Sequence, residues 1–200
     1  EANLSEASQY DYFSIGKKTY IPKYLEDKST VQGKQFTRTN TFQSPNFWMS
    51  WGYGVGPDPK NAQAEWPTFD PMESMIMSER VYKGFKDKTG FLVDSVGTNL
   101  GKYQVPIVLC GSYGFNQGMC SAFAAGNGVN WDGVIGGFLV YPSGVLGEGL
   151  FAHEFVHSLQ AQAANDKLLK CPTVGFSAFH IWESQANYLR SVLYPDMCTP

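Results

Sequence analysis

Phe151-Ala152-His153-Glu154-Phe155-Val156-His157-Ser158-Leu159-Gln160 is the stretch on which the reading of this chain turns. Residues four apart share one face of an α-helix, so His153 and His157 can reach one cation, with Glu154 beside any water that the cation holds. Zinc makes such a water acidic enough to lose a proton near neutral pH, and a carboxylate can take that proton and pass it to a leaving group. The chain has three histidines, and two of them stand in this segment. The neighbours Phe151, Ala152, Phe155, Val156 and Leu159 are uncharged, as a buried metal-bearing helix requires.

A zinc site that performs chemistry keeps an open position and takes three protein ligands, so a third must come from elsewhere. His180 and Glu183 lie three residues apart on one face of the following helical segment. Glu183 is the preferred ligand, because Asn187, one turn on, can then orient a ligand histidine. His180 is the runner-up, or a donor to an oxyanion. Tyr113, Tyr188, Arg190 and Tyr194 can also stabilise an oxyanion, and no spacing selects among them.

Around this core the pattern alternates between strands and helices. Residues 46–51 (NFWMSW) read as a strand, and the Gly/Pro-rich 52–59 as a loop. Asp70-Pro71 opens a helix with Met72, Met75, Ile76, Val81 and Phe85 on its apolar side. Residues 104–109 (QVPIVL) form a β-branched run whose Pro106 points to an edge strand or a bulge. Two short strands are expected at Ser121–Ala125 and Gly137–Tyr141. The motif helix should span Val145–Asn165, with Ser143 as its cap and its firm part from Leu150, and a second helix should run from Ser177 to Leu193, stopped by Pro195. Residues 1–43 read as an N-terminal extension packed on a domain spanning 44–200.

With 200 residues, 43% apolar and 16% charged, the chain can bury a core and a cleft, and a net charge of -3 without a basic stripe argues against nucleic acid. No run approaches the ~20 apolar residues of a membrane span. The polar, acidic start suits a soluble chain whose export signal has been removed. Cys110, Cys120, Cys171 and Cys198 lack metal-binding spacing, so two disulfides, Cys110–Cys120 and Cys171–Cys198, are expected, each closing a local excursion. Four reduced thiols are the alternative. Asn3-Leu4-Ser5 is a glycosylation sequon, in keeping with secretion.

HExxH followed by a glutamate in Trp182-Glu183-x-x-x-Asn187 resembles the gluzincin clan of metallopeptidases. More narrowly, SPNFWMSWG at 44–52, FAHEFVHSLQ at 151–160 and WESQANYLRS at 182–191 are similar to the secreted, zincin-like DUF6055 family. The resemblance implies an α+β zincin-like core: a twisted mixed sheet with an antiparallel edge strand, a backing helix and an active-site helix. It also implies a cleft in which a peptide pairs with the edge strand, near Ser121–Ala125 or the glycine-rich segment. The expected function is a secreted zinc endopeptidase acting on extracellular proteins or peptides, with one zinc on His153, His157 and Glu183 and with Glu154 as general base. The alternative is a secreted glycan- or protein-binding module on the same scaffold, presenting Trp48, Trp51, Tyr53, Tyr113 and Trp131. An intact Glu154 favours the enzyme, since a binding module has no need of a base between two ligands.

Overall fold

The computed structural model describes residues 16–22, 30–31, 34–35, 40–52, 54–62, 67–109, 112, 126–140, 147–166 and 179–196. The four cysteines, Tyr53, Tyr113, Ser143 and the expected strand Ser121–Ala125 lie outside them. A small antiparallel pair, β1 (Thr30–Val31) and β2 (Lys34–Gln35), stands apart from a five-stranded sheet. That sheet comprises β3 (Thr41–Gln43), β4 (Phe47–Ser50), β5 (Val105–Leu109), β6 (Gly126–Trp131) and β7 (Ile135–Val140), in the order β3-β4-β5-β7-β6. The β4–β5 and β5–β7 pairs are parallel, whereas β3 and β6, the edges of the sheet among the described residues, are antiparallel to their neighbours. The fold is α+β with a mixed sheet.

Strands β4, β5 and β7 are buried at every residue, as strands covered on both faces must be. Pro106 therefore sits in a central strand, not on an edge or at a bulge. The reason lies in the register. Val105 N–H bonds to Asn46 C=O on the β4 side, so the missing N–H of Pro106 would face β7, whose pairing begins one residue later at Ile107 opposite Phe138. Strand β7 runs over 135–140 in place of the expected Gly137–Tyr141, and its antiparallel partner is β6 at 126–131. Asp132 (φ 54°) and Gly133 (φ 70°) make the left-handed turn that joins them, and this Asp-Gly signal fixes the hairpin.

Helix α1 (Pro71–Lys88) starts as expected. The Asp70 carboxylate accepts from Met72 N at 2.9 Å, and Pro71 fills the first turn. A short turn, α2 (Asn99–Lys102), precedes β5. Helix α3 (Glu148–Asn165) carries the HExxH segment and is capped by the backbone of Gly147 without a side-chain bond, so Ser143 is not its cap. Its Phe151, Ala152, Phe155, Val156 and Leu159 are buried. Phe155 meets Phe47 and Phe85 edge to face at 5.3 and 5.7 Å, joining α3 to the sheet and to α1. Gly136 lets α3 seat directly on β7, because a Cβ there would lie 2.1 Å from the Ser158 carbonyl. Helix α4 (Phe179–Leu193) buries Ala186, Leu189 and Leu193, and ends before Pro195.

Described parts of the first 43 residues are stitched to this framework. β3 is an edge strand, Lys18 exchanges backbone bonds with Lys102 and Gln104, and Lys17 Nζ donates to Asn46 Oδ1 (2.6 Å) and Tyr82 OH (2.8 Å). Glu79, 3% exposed, accepts from Ser44 Oγ, Asn46 N and Asn46 Nδ2, which fixes the connection into β4. No helix among the described residues is long and apolar enough to cross a membrane.

Candidate metal centre

Helix α3 has a second face. Opposite the aromatic core, the Nε2 atoms of His153 and His157 stand 3.2 Å apart, and each faces one oxygen of Glu183 on α4, at 3.2 and 3.1 Å. These three side chains form a group able to hold a metal ion. Ligand atoms 2.0–2.1 Å from a tetrahedral ion stand ~3.3 Å from one another, so the spacing of this donor set matches what such an ion demands. Two imidazoles and a carboxylate are a donor set that suits zinc.

The donors are held from behind. His153 Nδ1 lies 3.1 Å from Asn187 Oδ1, and His157 Nδ1 lies 2.8 Å from Gln160 Oε1. Each ring thus turns one nitrogen to an amide and the other to the shared point. Helices α3 and α4 run antiparallel here, since contacts move from 153–187 to 160–182. Burial, and then the neighbouring His157, hold the His153 imidazole below the ordinary histidine range against the opposing pull of Glu183. At neutral pH it therefore offers a lone pair, as a ligand must.

Glu154 is 7% exposed, and its Oε2 is buried with no partner among the described residues. Burial chiefly, and then the charge of Glu183, push its carboxyl up to about 7 in the metal-free protein. A group poised near neutrality can take up and return a proton.

The other residues singled out in the sequence fare differently. Asn187 reaches His153 as expected. His180 falls in the first turn of α4, with its side chain outside the described residues. Tyr188 is 68% exposed and stands roughly 140° around α4 from Glu183, so the fold does not bring it to the donor group. Tyr194 donates to Glu148 Oε1 at 2.6 Å. Arg190 lies on the same stripe of α4 as Glu183 and Asn187, near enough to His153 for its charge to be felt. Gln160 and Gln185, bonded to each other behind His157, are site residues beyond those expected from the sequence. Gln160 was findable, being one turn beyond His157 on the same face.

The sequence model of a family described as "Family of unknown function (DUF6055)" matches residues 12–200. No curated protein and no solved structure matches the chain.

Proposed function

The chain belongs to the DUF6055 family, a membership that carries no activity with it, and from the chemistry of the site we propose that it is a secreted zinc-dependent hydrolase, an endopeptidase on a zincin-like scaffold. The observation that supports this most is the convergence of His153 Nε2, His157 Nε2 and the Glu183 carboxylate at 3.1–3.2 Å, with the buried Oε2 of Glu154, without a partner among the described residues, next in sequence to His153. Zinc bound there would supply Lewis acidity, polarising the scissile carbonyl and acidifying water. Glu154 receives the proton of the attacking water on its unpartnered oxygen and delivers it to the leaving amine. Asn187 and Gln160 keep the two imidazoles aimed while this happens. The antiparallel edge strand β6 offers backbone groups along which an extended peptide can pair.

The binding-module reading is less well supported. Trp48, Trp51 and Trp131, three of the aromatics that would form its surface, are 1%, 4% and 3% exposed and belong to the core. The test of the enzyme reading is metal analysis of the purified protein, followed by an unbiased peptide library with and without chelator. One zinc per chain and chelator-sensitive cleavage are expected. A protein that takes up no zinc even when it is supplied would overturn the proposal.

A further inference from the structure

Buried charges are paired, and an arginine cannot escape that demand by losing its proton. Arg190 on α4 departs from the rule. Its Nε and Nη2 are buried and have no partner among the described residues. Part of the residue remains at the surface, so these nitrogens lie close to solvent without being wetted by it. Together they form one edge of the guanidinium, whose parallel N–H groups suit the two oxygens of a carboxylate. Arg80 shows that use, with Nε 2.8 Å from Glu148 Oε1 and Nη2 3.4 Å from Glu148 Oε2. The carboxylates on neighbouring turns are engaged elsewhere. Glu148 is held by Arg80 and Tyr194, and Glu183 turns both oxygens to the histidines.

Arg190 is also placed to meet whatever binds at the donor group. Glu183, Asn187 and Arg190 follow one stripe of α4, and Asn187 Oδ1 lies 3.1 Å from His153 Nδ1. A helical side chain leans over the turn that precedes it, which carries the guanidinium back toward Asn187 and His153. Its charge is felt at His153. From Glu183 to Arg190 is about 10 Å along the helix, or roughly three residues of an extended peptide. We propose that Arg190 determines specificity at this site, its Nε–Nη2 edge taking a carboxylate of the bound peptide within about three residues of the bond held at the donors. A carboxylate offers an oxygen to each nitrogen, where the oxyanion of a tetrahedral intermediate offers one. The carboxylate is an acidic side chain or a free C-terminus. That it belongs to a peptide to be cut rests on the hydrolase reading above, whereas the affinity of Arg190 for a carboxylate does not.

Two measurements test this. In chelator-treated protein, proton–nitrogen NMR follows the Nε–H signals of the three arginines as acetate is added, with acetamide and sodium chloride as controls. The Arg190 signal should shift saturably with acetate alone, while that of Arg80, whose edge Glu148 fills, stays in place. An Arg190 signal that ignores acetate, or follows chloride equally, overturns the proposal. In zinc-loaded protein, a peptide library with free and amidated C-termini should be cut within about three residues of Asp, Glu or the free terminus. Cleavage indifferent to amidation assigns the carboxylate to a side chain, and cleavage lost on amidation assigns it to the terminus. Exchanging that carboxylate for its amide should lower kcat/KM by about 10- to 100-fold in the parent and should matter little in Arg190→Met. A merely structural Arg190 would lower both peptides alike and leave the preference in place, which overturns the proposal. The acetate titration of the parent decides the matter if the variant does not fold. A saturable acetate shift in a protein that takes up no zinc and cuts no peptide sinks the hydrolase reading alone, and cleavage without preference for a carboxylate sinks this inference alone.

Discussion

Replacing Glu154 by Gln separates catalysis from architecture, because the amide is nearly isosteric with the carboxylate and Glu154 is not among the three donors. Its effect on stability follows from burial. The carboxyl moves from its ordinary 4.5 to about 7 in the folded, metal-free chain, so the folded state holds this proton longer than the unfolded state. Stability from this group therefore falls as pH rises through that window and is lowest above about pH 7. At about 1.4 kcal/mol for each pH unit between the two values, the full cost is on the order of 3 kcal/mol. Gln carries no charge to bury. With chelator present, Glu154→Gln should be more stable than the parent by up to that amount at about pH 8, a rise of roughly 6–12 °C in Tm, and nearly equal to it at about pH 4. Urea denaturation at the two pH values measures this directly. With zinc present, the variant should keep one ion per chain and lose about 100- to 10,000-fold in turnover. A variant less stable than the parent at about pH 8, or one that cleaves as fast as the parent, refutes the reasoning.

His157→Ala should lose zinc as well as activity, read by metal analysis, because it removes a donor rather than a proton carrier. Gly136→Ala drives a methyl into the Ser158 carbonyl and should cost at least about 2 kcal/mol in denaturant unfolding, with zinc affinity falling as α3 is pushed off β7. Lys17, lowered by burial to about 8 from 10.5, should add stability as pH rises from about 8 to 10, on the order of 2 kcal/mol, because the unfolded chain holds that proton longer; Lys17→Met should flatten the rise in a pH series of melts. Non-reducing peptide mapping should find Cys110 joined to Cys120 and Cys171 to Cys198, and free thiols throughout would count against secretion.

Features set by neighbouring residues were legible in the sequence. The Asp70-Pro71 start of α1, the strand Phe47–Ser50 within NFWMSW and the i, i+4 pairing of His153 with His157 each depend on local geometry alone. Glu183 was reachable because a face three and four residues wide on the next helix held few candidates. Pro106 was misjudged because strand position depends on where β7 begins to pair, a long-range register that no local pattern carries. The cap of α3 was missed because glycine offers only backbone there, with no side chain to signal it. Gln160 went unassigned since its partners, Gln185 and the Trp182 carbonyl, come together only once α4 lies antiparallel on α3. Tyr188 was chemically plausible, but the apolar face of α4 turns it to solvent.

In chain order, every strand of the sheet precedes all three donors of the metal centre. A chain emerging from the ribosome can pair β4 with β5 and β5 with β7 before α3, and later α4, has been made. Those parallel pairings join distant segments and are slow to form. An ion held by these donors could not template them, because its site would not yet exist. It would be captured late by a framework already built, so a nascent chain that fails in its sheet would be beyond rescue by metal, while one starved of metal could still complete its sheet.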